Sequence, residues 1–137
     1  MLIEEALRTY LAGNSGVSAI VSGRIYPVVL PQGVQLPALM FQRISGVRVE
    51  SLQGSSGLAH PIFQIDCFSE QKDGYSQVKA LAEVVRLALE GYRGTWSGMS
   101  IQGVLFLGDT DLYEDESEVY RVSMDFEIWH VEDRPSF

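Results

Sequence analysis

Two stretches of the chain place apolar residues at the spacing of an amphipathic helix. The first covers residues 2–12, and Gly13 suits the left-handed position just past its end. The second runs from Asp73, whose side chain is that of an N-cap, to Gly91, which suits the position after a helix C-terminus. Its apolar stripe consists of Val78, Leu81, Ala82, Val85 and Leu89. Because an apolar stripe is buried against another element in a folded protein, we expect this helix to pack on a sheet.

Five other segments have the alternation or the composition of strands. They are residues 25–29, a short edge strand limited by prolines, and residues 38–45, 61–69, 95–108 and 118–131. Gly103 is expected to mark a bulge in the fourth of these. In segment 61–69 the predicted core face is Phe63, Ile65 and Cys67. In segment 118–131 it is Tyr120, Val122, Met124, Phe126 and Ile128, opposite a wet face of Arg121, Ser123, Asp125 and Glu127.

Two connections complete this picture. Residues 14–23 contain a short apolar patch between glycines, and they fit either one further helical turn or an irregular connection. Residues 46–60 contain three glycines and three serines, which predict a long, mobile, projecting hairpin loop. The order of elements predicts an α+β fold with a mostly antiparallel sheet and two main helices on one face, in a single domain over residues 1–137.

Charge is distributed unevenly along the 137 residues. Residues 1–108 hold eight acids and eight bases, whereas residues 109–137 hold ten acids and two arginines, so the net charge of −8 lies in the last segment. A nucleic-acid binder would show a basic stripe, and none is present. No apolar run approaches the roughly 20 residues that span a bilayer, and Cys67 is the only cysteine. We therefore expect a cytoplasmic protein without a membrane segment.

Six carboxylates crowd the sequence DTDLYEDESE at residues 109–118. They are Asp109, Asp111, Glu114, Asp115, Glu116 and Glu118. An EF-hand loop that started at Asp109 would need a ligand at position 5, glycine at position 6 and glutamate at position 12. The chain has Tyr113, Glu114 and Tyr120 there. A looser Mg²⁺ or Ca²⁺ site is an alternative, but we favour a solvated turn between two strands and expect no metal.

Motifs for catalysis are missing from the sequence. The nucleophile elbow G-x-S-x-G does not occur, and Cys67 falls on the apolar face of its strand. His60 and His130 have no metal-ligand spacing to that cysteine, and no two glycines form a phosphate-binding G-x-G. The aromatic residues are interpreted as core or interface positions. We therefore expect no enzyme and no cofactor.

The chain as a whole resembles the small tail completion proteins of long-tailed bacteriophages and prophages, also described as tail terminator or tail-to-head joining proteins. The resemblance runs from the first helix to about Asp133. It is carried by IYP at 25–27, PQG at 31–33, PAL at 37–39, RISG at 43–46, FQID at 63–66 and YRVSMDF at 120–126. The match lies in the order and spacing of these short motifs, none of which is catalytic.

The resemblance implies an α+β subunit of a ring, typically of six copies, that caps the finished tail tube and forms the surface that joins the head. Its partners would be further copies of itself, the tail tube protein and head-tail connector proteins, while DNA passes through without specific binding. The protein would assemble in the bacterial host cytoplasm and remain in the virion, at the head-proximal end of the tail. The family assigns no catalytic residues, so none is carried over.

Two candidate interaction sites follow. The acidic stretch, with Asp109, Asp111, Glu114, Asp115, Glu116 and Glu118, is expected to face the ring lumen or an intersubunit rim, because carboxylates repel phosphates. The projecting loop offers Arg48, Glu50, Gln53, Ser55 and Ser56 to a neighbour. A head-tail connector or head completion component is the alternative function. A ligand-binding or enzymatic α+β dimer is a further one.

Overall fold

The computed structural model describes residues 1–137 and contains three α-helices. Helix α1 (Ile3–Gly13) is followed directly by α2 (Ser15–Val21), which settles the open alternative at residues 14–23 in favour of a helix. The Asn14 side chain caps α2 by accepting from the Val17 N–H at 3.1 Å. The prediction of a left-handed Gly13 after the helix was therefore wrong. Gly13 is the last residue of α1, and Asn14, whose backbone is extended, separates α1 from α2.

Helix α3 (Tyr75–Leu89) is the long helix predicted in the middle of the chain. All five residues of its predicted stripe are buried, and Gly91 adopts the left-handed conformation with φ of 77°. Asp73 is not its N-cap, because it lies in a short 3₁₀ turn (Gln71–Asp73) and Gly74 precedes the helix. None of the three helices has the length and apolar composition of a membrane-spanning segment.

Eight strands form one sheet. They are β1 (Ile25–Pro27), β2 (Ala38–Ser45), β3 (Arg48–Ser51), β4 (Gly54–Ala59), β5 (Ile62–Glu70), β6 (Gly94–Trp96), β7 (Met99–Glu114) and β8 (Val119–Val131). Strand β1 is parallel to β2, and every other pairing is antiparallel. One path across the sheet runs β1–β2–β5–β8–β7. Strand β1 forms one edge, and β7 forms the other beyond residue 101, because β6 pairs with residues 99–101. This confirms the α+β class and the mostly antiparallel sheet.

The strands β3 and β4 form the hairpin predicted around residues 46–60. They pair with each other, and β4 reaches β8 only at Leu58 and Ala59. Most of this hairpin therefore extends beyond the main sheet as a two-stranded ribbon, which we call the arm (residues 48–57). The two ends of the arm continue the neighbouring strands β2 and β5 after short interruptions.

The helices and one face of the sheet share a single cluster of 24 buried side chains. That face carries Phe63, Ile65 and Cys67 of β5 and the alternate positions from Val122 to Ile128 of β8, as the alternation predicts. The opposite face has no helix on it and carries polar side chains of the same two strands, namely Gln64, Asp66, Ser123, Asp125 and Glu127. The fold therefore leaves one sheet face and two edges for contacts with other molecules.

The long β7–β8 hairpin differs from the expected loop between two strands. Strand β7 continues through Asp109, Asp111 and Glu114, and only residues 115–118 form the turn. The pairing register shifts between Ile101 and Gly103, which confirms the predicted bulge, and again between Phe106 and Gly108. The acidic stretch is thus half strand and half turn, because it is held by pairing with β8.

A pair of leucines in α3 tests the contribution of the helix–sheet core. We expect Leu81→Ala, at a fully buried position, to lower the free energy of unfolding by about 2–5 kcal/mol through lost burial and a residual cavity. Leu87→Ala makes the same change in the same helix at a side chain that is 67% exposed, and we expect less than about 0.5 kcal/mol. Urea denaturation of both variants measures the difference, and equal losses would contradict this packing.

Candidate interaction surfaces

The acidic hairpin end, defined as residues 109–118, holds two of its six carboxylates in contacts with the rest of the chain. Asp111 accepts from Lys79 Nζ at 3.1 Å and from the Tyr75 hydroxyl, both on α3. The Tyr75 hydrogen bond is the main reason that the pKa of Asp111 is lowered. Glu114 lies 3.3 Å from Arg121 Nη1 and accepts from Ser117. These two acids therefore tie the hairpin end to α3 and to β8.

The other four acids of the hairpin end have no ion-pair partner. Asp109, Asp115, Glu116 and Glu118 are all exposed, and no Lys, Arg or His lies within 4.0 Å of them. No group of three or more His, Cys, Asp or Glu side chains in the chain is arranged to hold a metal ion. The hairpin end is therefore a surface of unneutralised negative charge, without the convergent geometry of a cation cage.

An ion pair on the helix-free face connects this hairpin end to the centre of the sheet. Asp66 is fully buried and accepts from Arg121 Nη2 at 2.8 Å and from Gln64 Nε2 at 3.1 Å. Arg121 also lies over the Phe68 ring, with its guanidinium carbon 5.4 Å from the centroid. Arg121 was predicted on the polar face of β8, but its pairing with Asp66 was not predicted, because strand register decides which residues of β5 and β8 are neighbours.

Asp125 lies next to this ion pair without a basic partner of its own. It pairs with Gln64 across the β5–β8 ladder, two residue pairs from Asp66 and on the same face of the sheet. Partial burial raises the pKa of Asp125, and the negative charge of Asp66 raises it further. The helix-free face therefore carries a carboxylate whose ionised form is disfavoured in the isolated chain.

The arm is braced at its base, and its tip is exposed. Arg48 forms an ion pair with Glu132, Ser56 Oγ donates to the Val49 carbonyl at 2.6 Å, and the Ser55 carbonyl accepts from Arg134 Nε at 3.0 Å. Three of the five predicted arm residues are thus used within the chain: Arg48, Ser55 and Ser56. Glu50 and Gln53 make no side-chain hydrogen bond, and Leu52 at the tip is fully exposed. The free surface of the arm is therefore its tip.

An open cleft of about 720 Å³ lies between the start of α1, the β6–β7 turn and the end of β8. Arg43 and Arg48 line it, but each is matched by a carboxylate, Glu4 at 3.8 Å and Glu132 respectively. His130 is buried at its wall, and burial lowers the pKa of its imidazole. The cleft therefore contains two paired arginines, an unpaired Asp133 and a buried imidazole whose Nδ1 has no hydrogen-bond partner.

The remaining chemistry-bearing residues lie in packing environments. Cys67 is completely buried among apolar side chains, and burial raises the pKa of its thiol, which keeps it in the unreactive protonated form. The His60 ring stacks on Trp129 with centroids 4.1 Å apart, and its Nδ1 lies 3.4 Å from Glu127. Trp96 is a core residue beside Tyr10, as its sequence position indicates.

These features define a small α+β protein with helices on one face of a mostly antiparallel sheet and an acidic hairpin at one edge. The model of the family "Tail completion protein gp17" matches residues 5–131, and the chain belongs to this family. The resemblance in the sequence is thereby confirmed. The protein is a structural component of a phage tail.

Solved structures share the fold at low sequence identity. A chain of the structure titled "Virion of native gene transfer agent (GTA) particle" matches over 94% of both chains, with a TM-score of 0.78 and 19% identity. A second solved chain covers 99% of this chain and 100% of its own length, with a TM-score of 0.61 and 10% identity. No curated protein matches the sequence. At these identities the structural likeness shows the fold alone.

The environment of Asp125 gives a pH-dependent prediction. Because its folded-state pKa is raised, its ionisation opposes folding as the pH rises through and above its ordinary value of 3.8. We therefore expect Asp125→Asn to raise the melting temperature at pH 7 and to have little effect below about pH 2.5, where the carboxyl is protonated in both states. Thermal melts of the two proteins across this range measure the gain, and an equal gain at every pH would contradict the electrostatic cause.

Proposed function

We propose that this chain closes the head-proximal end of a phage tail tube as a ring of identical copies, six in the typical case, and provides the surface that the head joins. The observation that carries the proposal is the match of the tail completion family model over residues 5–131, nearly the whole chain. The chain acts as a single tail-completion-like domain. Its partners are its own copies, the tail tube protein and the head-tail connector proteins.

The arm supports a role in assembly. A two-stranded hairpin without a third strand is marginally stable in water, and this one presents apolar side chains to solvent along its length. Val49 is more than one-third exposed and Leu52 is fully exposed. We infer that the tip, with Glu50, Leu52 and Gln53, packs against a neighbouring protein of the tail or the connector, because that contact covers its apolar side chains.

The charge of the acidic hairpin end supports passage of DNA without binding. Four unpaired carboxylates per copy repel phosphates, and binding of DNA requires cations that displace its counterions. In this proposal the hairpin end faces the ring lumen or an intersubunit rim. Neither role requires catalysis, and the paired charges of the cleft agree with a protein that acts through its surfaces.

The proposal is tested in the phage or prophage that encodes the chain. Without the gene we expect filled heads and separate, unjoined tails in electron micrographs, and purified protein added to such a lysate should bind the tails at one end. Binding to the heads instead would favour the connector or head completion role. Normal joined particles in the absence of the gene would overturn both.

Neutralisation of the hairpin end gives a second prediction. Either location makes ring assembly depend on ionic strength. If the hairpin ends line the lumen, each pair of like charges about 6 Å apart costs roughly 0.7 kcal/mol in water, and salt promotes assembly because it screens this repulsion. If they lie at a rim that meets basic groups, salt weakens assembly because it screens the attraction. We expect Asp109→Asn/Asp115→Asn/Glu116→Gln to flatten this dependence in sedimentation experiments.

A matched control removes the same charge elsewhere. The variant Glu83→Gln/Glu90→Gln/Asp133→Asn changes three exposed acids outside the hairpin end and the arm. It should keep the salt dependence of the unchanged protein. If the hairpin-end variant keeps it as well, the acidic stretch plays no part in assembly.

A further inference from the structure

The sheet edge opposite the acidic hairpin carries only positive charge. Residues 6–42 contain two charged side chains, Arg8 and Arg24, and no acid. Arg8 Nε donates to the Ile25 carbonyl of β1 at 3.1 Å, and Arg24 Nε donates to the Pro37 carbonyl at 2.9 Å. Neither guanidinium lies within 4.0 Å of a carboxylate. Both are therefore uncompensated charges at the β1 edge.

The register of the sheet aligns this basic edge with the acidic one. Residues paired laterally across neighbouring strands form a row. One row runs from Pro27 of β1 through Phe41, Ile65 and Met124 to Asp109 of β7. At about 4.8 Å per strand, the two ends of this row are roughly 19 Å apart. The opposite charges thus lie at the two ends of the same sheet rows, facing away from each other.

Exposed apolar side chains accompany the charge at both edges. Directly after β1, Val28 and Val29 are 58% and 68% exposed. On β7, next to the acidic hairpin end, Leu105 and Leu107 are each about half exposed. Each edge therefore has a pair of exposed apolar side chains beside charges of one sign. The apolar pairs of the two edges can pack together, and their charges are opposite.

The β1 edge is closed to the addition of another strand. The Ile25 N–H donates to the Gly23 carbonyl, the Ile25 carbonyl accepts from Arg8, and the Pro27 carbonyl accepts from the Val29 N–H. Pro27 has no N–H to offer. A contact at this edge is therefore made by side chains, and the pattern of charge decides which surface fits it.

We propose that copies of this chain associate head to tail, with the basic β1 edge of one copy, carrying Arg8 and Arg24, against the acidic β7 edge of the next. This rests on the proposed ring. A two-fold contact between equal edges would bring like charges together, whereas a contact between unlike edges pairs them and leaves a free edge of each kind for the next copy. Such a contact repeats until the ring closes.

Two single-edge variants test the proposal. Asp115→Lys/Glu116→Lys reverses exposed charge at the acidic edge, and Val29→Trp places a bulky, uncharged side chain at the basic edge without removing the arginine contacts to the backbone. We expect each variant alone to need at least about tenfold higher concentration for half-maximal assembly, which corresponds to roughly 1.4 kcal/mol. Raising the salt concentration should weaken assembly of the unchanged protein.

A mixture of the two variants separates this contact from other arrangements. Each variant keeps one intact edge, so the mixture should form one-to-one heterodimers that cannot grow, and these heterodimers also show that both variants are folded. The control Glu83→Lys/Asp133→Lys makes the same charge change on α3 and in the C-terminal segment, and it should assemble like the unchanged protein. Multi-angle light scattering measures the masses.

The outcomes distinguish this contact from the ring itself. Rings formed equally well by both single-edge variants, or a mixture that grows beyond heterodimers, would overturn the edge contact and leave the ring standing. An unchanged protein that stays monomeric even on tail tubes would overturn the ring, and the edge contact with it.

Discussion

The packing of α3 across the central strands β5 and β8 is the interaction on which the rest of the structure depends. Its five buried residues cover the alternate positions of these strands, and α1 and α2 complete the same cluster. Because all the helices lie on one side, burial of apolar surface, the main driving force for folding, is satisfied by one face of the sheet alone. The other face and the two edges are consequently free to carry charge, and the carboxylates of the acidic hairpin end lie there.

The polar face is ordered by electrostatics in place of a second layer of helices. Asp66 is fully buried, and a buried carboxylate is tolerated only when it is paired and hydrogen-bonded. Here Arg121 forms the ion pair, and Gln64 donates a further hydrogen bond. Through Glu114 the same arginine fixes the start of the β7–β8 turn, while Lys79 fixes Asp111 from the other side of the sheet. The long hairpin is thus held on both faces, and its four remaining acids stand at a defined edge.

Local pattern was sufficient for the parts of the fold that depend on one face of one element. The stripe of α3 and the alternation of β8 were predicted residue by residue, because burial repeats with the period of the backbone. The parts of the fold that depend on residues distant in the sequence were not predicted. Acid-rich residues 109–114 have little strand propensity of their own, and their pairing with residues 119–124 overrides it. Asp73 had the side chain of an N-cap, but the chain turns at Gly74 instead. The Asp66–Arg121 pair needed the register between β5 and β8, which no single segment contains.

In the proposed ring, the segregation of charge lets a chain with a net charge of −8 associate with itself. If the excess acids were spread evenly, every approach of two copies would bring like charges together, and the repulsion would grow with each copy added. Here the first 108 residues are neutral, and the β1 edge is locally basic, so a neighbour that approaches from that side meets no excess of acids. Only contacts between two edges of like charge are penalised. The same charges that would oppose a two-fold dimer therefore favour the directional contact that a ring requires, since the orientation of each copy is selected by which edge it presents.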